Sequence, residues 1–167
     1  MVFKKRIHQH NLYNTLLFLA RNIFFYKNIK LLDNFETRIY LMFIHFSILM
    51  IIFKKKGSKL NQNSYDFFFH NIEYNLRELG FGDVTVNKKM KEFNKILYDI
   101  LLKLDQKKET NNSFQLNQTL IFKYFDELKG NNNSKYTKFE NYFFNFFNFC
   151  FELSLDNVLK EIIKFKN

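Results

Sequence analysis

Four histidines, one cysteine and one glycine-containing turn are the residues of this chain whose types could do chemistry. His8 and His10 lie near the N-terminus, while His45 and His70 fall in separate segments. There is no H-E-x-x-H and no pair of cysteines, so the spacing offers no metal site and calls for no cofactor. A lone His45 inside an apolar run reads as a core histidine with its hydrogen bonds satisfied rather than as a ligand. Cys150 stands between Phe149 and Phe151 and reads as a small buried hydrophobe rather than a nucleophile. As the single cysteine it allows no intramolecular disulfide, which fits a reducing compartment. Gly80-Phe81-Gly82-Asp83 has the glycine spacing of a loose phosphate loop. It lacks the following Lys-Ser/Thr and a preceding strand, and a tight turn explains it better. With no clustered nucleophile, base and metal ligands, the chain reads as a binding protein and not an enzyme.

The informative polar cluster surrounds that turn. Glu73, Arg77, Glu78 and Asp83 put three carboxylates and one guanidinium close together, and Lys88, Lys89 and Lys91 follow at once. Glu73 and Arg77 are four apart and can pair on one helix face. By spacing alone this is a solvated salt-bridge face. The net charge of +10 would draw nucleic acid, ribosomal RNA or an anionic membrane surface. A lysine-rich solvated surface accounts for it equally well, and no basic-aromatic RNA-binding pattern or Cys/His finger is present.

The elements that must position these residues are helices. The chain has no proline and only four glycines, which favours long helices over a many-stranded sheet. Its 167 residues, 47% of them hydrophobic, suit one compact domain with a real core. The 24 phenylalanines are largely what an AT-rich coding sequence would supply, and they read as core filler. A first helix is expected over Leu12 to Tyr26, with Leu16, Leu19, Ile23 and Tyr26 in one stripe. Asp33 and Glu36 form a capping box for a second helix to about Phe53, closed by Lys54-Lys55-Lys56 and Gly57. Its apolar run from Ile39 to Phe53 has 15 residues, His45 and Ser47 among them. A spanning helix needs about 20, so a buried core helix is favoured over a membrane anchor.

The third helix carries Tyr65, Phe68, Phe69, Ile72, Leu76 and Leu79 at the helical period. Gly80 then takes the left-handed C-cap position, with Phe81 returning onto Leu76. A fourth helix starts near Thr85, with Val86, Met90, Phe93, Leu97, Leu101 and Leu104 apolar. Polar stretches Gln106 to Ser113 and Gly130 to Lys135 read as loops. A fifth helix lies between them, bearing Leu116, Leu120, Tyr124 and Leu128. Thr137 and Glu140 form a second capping box opening a helix from Phe139 to Cys150, and Ser154 caps a last helix through Phe165. The fold class is all-α: a single compact domain of six or seven helices, preceded by a basic N-terminal extension (1–11) and followed by a helical tail (151–167). Lys4, Lys5 and Arg6, with no acidic residue before Asp33, give the N-terminus a faint transit-peptide character.

The residue order around the turn is specific. Leu76-Arg77-Glu78-Leu79-Gly80-Phe81-Gly82-Asp83, then Val86, Lys88, Met90 and Lys91, closely resembles the core motif of the ubiquinol–cytochrome c chaperone family, approximately L-R-E-x-G-V-G-D then V-x-K-x-M-K. Glu73 matches the acidic residue three before the Leu. Ala20-Arg21, Tyr26, Asp33 and Arg38 resemble the family's opening, and residues 12–150 are covered as one helical domain. Asn71 stands where an acidic residue is usual, and Asp99-Ile100 where a Gly-Arg pair is usual.

The resemblance implies an assembly chaperone for ubiquinol–cytochrome c reductase (respiratory complex III) that binds newly made cytochrome b, with no cofactor. It implies a possible small helical co-chaperone and contact with the ribosome or an anionic membrane surface. Glu73, Arg77, Glu78, Asp83, Lys88 and Lys91 become the partner-binding residues, with Gly80, Phe81 and Gly82 as the motif turn. The chain is short and resembles the bacterial form, so a cytoplasmic protein peripheral at the inner membrane is expected, or a matrix protein if eukaryotic. The alternative is a basic peripheral membrane or RNA-binding helical protein without a cytochrome client.

Overall fold

The computed structural model describes residues 12–105, 114–130 and 134–167, all helices and connections among these. The basic extension, with His8 and His10, and the loop from Gln106 to Ser113 lie outside the described residues. So does the middle of the loop from Gly130 to Lys135.

The expected first helix is divided. α1 (12–20) ends before Arg21, and α2 (Ile23–Lys27) begins afresh. Asn22 causes the break: its side chain accepts from the Phe24 amide at 3.0 Å, capping a new helix rather than continuing the old one. The Tyr26 hydroxyl satisfies a freed carbonyl at the end of α1, donating to Ala20 O at 2.7 Å. The expected stripe holds before the break, where Leu16 and Leu19 are buried; beyond it Phe25 is the buried residue and Tyr26 is half-buried. Ile23, expected in that stripe, is exposed because the break turns it outward.

α3 (Phe35–Lys55) is the central helix, with α5 (Asp83–Asp105) packed on one side and α7 (Ser134–Glu152) on another. Its cap is Asn34, whose side chain accepts from Thr37 N at 2.8 Å. This corrects the Asp33 capping box: Asp33 instead pairs with Arg38 at 2.6 Å. At the other end Gly57 adopts φ +75°, and the Ser58 amide returns to Phe53 O, as a left-handed cap requires. By length and a mean hydropathy of 1.6, α3 could cross a membrane, but 72% of its apolar window is buried inside the fold.

α4 (Gln62–Glu78) starts three residues before Tyr65, where Asn61 caps it, and runs antiparallel along α5. α6 (Gln118–Tyr124) stops at Phe125, short of the expected end, and Leu128 is reached through a 3-10 turn. α7 begins at Ser134, so Thr137 and Glu140 lie inside the helix and do not form the second capping box; Glu140 accepts instead from the Tyr136 hydroxyl. Ser154 occupies the N-cap of α8 (Leu155–Glu161) by backbone conformation, without a side-chain cap bond. Val158, Ile162 and Phe165 of the tail are buried, and the Phe165 ring meets Tyr142 and Phe146.

The phenylalanines do fill the core. Phe25, Phe139, Phe143, Phe146 and Phe147 are essentially solvent-free, and Cys150 beside them is fully buried with its thiol pushed up by that burial. His45 sits within this cluster against Phe143 and Phe146. Its Nδ1–H donates to Leu41 O at 2.7 Å, which leaves Nε2 to accept from the Tyr142 hydroxyl at 3.0 Å. Burial lowers the imidazole to about 4, so the ring is neutral. His45 is thus the satisfied core histidine expected of it.

Candidate functional site

The turn between α4 and α5 is built by its glycine. Gly80 adopts φ +94°, and the Phe81 amide returns to Leu76 O at 3.3 Å while Gly80 N donates to Arg77 O at 3.0 Å. The Phe81 ring itself stays partly exposed, with Lys89 Nζ 5.0 Å from its centroid. α5 then starts at Asp83, two residues before Thr85, and an acidic first residue suits the positive end of the helix.

This geometry brings together three of the expected site residues. Arg77 donates to Glu73 at 3.1 Å through Nη2 and to Asp83 through Nη1. The guanidinium is held in its charged form first by Asp83 and then by Glu73. The triad is solvent-facing, so its contribution to stability is small. It sets a charge pattern on the surface more than it holds the fold together.

Glu78 does not join the triad. It lines a separate cleft of about 220 Å³ between α1, α3 and α4, together with Arg21 and Arg38. The cleft's apolar wall is formed by Leu17, Phe35, Ile39, Met42 and Leu79. Asn75 and Tyr13, hydrogen-bonded to each other, close one end. The carboxylate of Glu78 also faces the exposed Tyr74 hydroxyl, pushing its pKa up. Arg21, Arg38 and Glu78 therefore line one small, largely apolar cleft, with the Arg38 guanidinium itself paired to Asp33. Tyr74, Leu79, Phe81 and Val84 add exposed apolar surface around the adjoining turn.

Lys88 and Lys91 are exposed along α5 and belong to neither group. Lys89 is the lysine of that run that turns inward, reaching Glu36 at 4.0 Å. Arg21 and Arg38 also line this candidate site, and spacing within a single helix does not single them out. The signal was the Ala20-Arg21 and Asp33-Arg38 pattern, whose partners prove local: Tyr26 on Ala20, Asp33 on Arg38. Asp99, at the position that departs from the usual pattern, accepts from Lys103, Lys123 and Tyr124 and ties α6 to α5. Burial opposes its charge, but those donors outweigh it and hold the carboxyl well below the ordinary range.

Among the described residues no three His, Cys, Asp or Glu side chains gather as metal ligands would. The architecture is that of a helical binding domain, with a charged apolar cleft beside an exposed turn. The Ubiquinol-cytochrome C chaperone family profile matches residues 27–161, and the chain belongs to that family. Its role is that of a chaperone in the assembly of ubiquinol–cytochrome c reductase, with a protein client. No curated protein and no solved structure matches the chain.

Proposed function

We propose that this protein binds newly made cytochrome b and holds it until its incorporation into ubiquinol–cytochrome c reductase, through the cleft and turn at the joined ends of α1, α3 and α4. The observation that carries this is the convergence of Arg21, Arg38 and Glu78, distant in sequence, on one cleft with apolar walls. A membrane-protein segment awaiting insertion offers apolar side chains flanked by polar ends, and such a cleft complements both. The protein works without a cofactor or catalytic step of its own, on the cytoplasmic or matrix side and peripheral to the inner membrane. Its net charge of +10 keeps it near anionic lipid or the ribosome by screened attraction. A small helical co-chaperone would cover part of the same surface.

The test is a reduced-minus-oxidised haem spectrum of membranes from a strain lacking the gene, with and without the gene restored. Selective loss of the reductase's b-type signal, rescued by the gene, is expected. An unchanged b-type signal with normal reductase activity would show that this chain serves another client.

A further inference from the structure

A second groove lies at the opposite end of α4 from the motif turn. It holds about 770 Å³, within the ~300–1,000 Å³ typical of sites for small organic ligands. Met50 and Lys54, one turn apart on α3, face Leu97 and Leu101, one turn apart on α5. Leu60 and Tyr65 close the α4 side. Each wall is one turn long, about 6 Å of helix axis. An amphipathic helix docks through anchors spread over two turns, more than either wall of this groove offers. A flexible hydrocarbon chain needs no regular run of anchors and enters with the methylenes nearest its headgroup.

The charge pattern selects the head of that chain. The lining includes two cations, Lys54 and Lys59, and no carboxylate. Lys54 bridges Asp105 at 2.6 Å yet stays 66% exposed, and Lys59 is exposed with no ion-pair partner among the described residues. Lys55 and Lys56 stand at the same corner of the fold, their ammonium groups over the rings of Phe147 and Phe151. Tyr98, 53% exposed, lies at the mouth, and Leu102, 60% exposed, follows one turn on. An apolar slot under a cationic rim, with an exposed tyrosine and leucine beside it, complements an anionic amphiphile at a membrane surface.

We infer that this groove receives one acyl chain of an anionic membrane lipid, its headgroup phosphate resting against Lys54 and Lys59. The corner formed by the end of α3 and the middle of α5 then faces the bilayer, and the motif cleft at the far end of α4 is left free. Lipid docking here requires nothing of the client's identity.

The chain has no tryptophan, so a Tyr98→Trp variant of the full-length protein is a single-site reporter. It is mixed with phosphatidylcholine vesicles containing phosphatidylglycerol whose acyl chains are brominated. The expected result is a blue shift and quenching for Tyr98→Trp, with a Tyr74→Trp reporter at the other end of α4 unquenched. Lys59→Glu, which breaks no ion pair, lowers the vesicle-bound fraction about fivefold or more, and adding Lys54→Glu deepens the loss. Absence of vesicle binding overturns the inference, as does equal binding to phosphatidylcholine alone. Binding with no quenching at Tyr98→Trp, or with equal quenching at Tyr74→Trp, shows attachment by charge elsewhere and overturns the groove as the lipid site.

Discussion

Arg77, in the last turn of α4, holds Asp83, the first residue of α5, across the Gly80–Gly82 turn. Its second guanidinium nitrogen keeps Glu73 at 3.1 Å one turn back on its own helix. One side chain thus joins the end of one helix to the start of the next and sets both carboxylates beside it on the surface. Arg77 is 42% exposed and Asp83 81%, so water screens the pair and the fold does not depend on it.

Arg77→Ala is therefore expected to leave the far-ultraviolet circular dichroism spectrum and the thermal midpoint nearly unchanged while lowering the b-type haem signal of the reductase in cells. Asp83→Asn should act in the same direction and more weakly, because Glu73 still holds Arg77. A drop in the thermal midpoint matching the loss of assembly would assign the triad a structural role instead.

The two turn glycines should behave differently. Gly80 has φ +94°, a conformation in which any Cβ is strained although space is open around it. Gly80→Ala should destabilise the protein by about 1–2 kcal/mol in urea unfolding. Gly82 lies outside that region of backbone space and a Cβ there meets nothing within 4 Å, so Gly82→Ala should change stability by less than about 0.5 kcal/mol. Equal effects would show that the turn is not held in the left-handed cap.

His45 gives the fold a pH dependence whose sign follows from its burial. The buried imidazole titrates at about 4 and the unfolded one at 6.5, so the unfolded state binds more protons between those values. Stability from this group is complete above pH 6.5, falls as pH drops from 6.5 toward 4, and levels off below. The loss amounts to about 3 kcal/mol. Urea midpoints measured from pH 7.5 to 4 should show this decline in the natural chain and a shallower one in His45→Phe. His45→Phe should also be less stable at pH 7.5, because the Tyr142 hydroxyl loses the ring nitrogen it donates to. Parallel pH curves for the two proteins would rule His45 out as the cause.

Much of the site was legible from local rules. The i,i+4 spacing of Glu73 and Arg77 predicted their pairing, and the Gly80 cap emerged with the hydrogen bonds a left-handed C-terminus needs. Capping boxes were less readable. Asp33 and Glu36 had the right spacing, yet Asn34 took the cap and left Asp33 to Arg38, since adjacent Asp and Asn compete for one role. Thr137 and Glu140 had the spacing too, but lay inside a helix that starts at Ser134. The break at Asn22 was hidden because a stripe of apolar residues runs through it.

The helical class, most helix positions, the buried state of His45 and Cys150, and the motif turn all follow from the order of residues along the chain. All of these depend on neighbours within a turn or two, where period, caps and glycine freedom act. Which helices cover which is settled by packing. α3 is apolar almost all round, so its sequence names no preferred face, and only the packing of α5 and α7 assigns one. For the same reason Arg21, Arg38 and Glu78 became one cleft only when α1, α3 and α4 met, and Glu78 parted from Arg77, its neighbour in the chain. Adjacent residues on a helix point about 100° apart, so a motif contiguous in sequence serves two surfaces once folded.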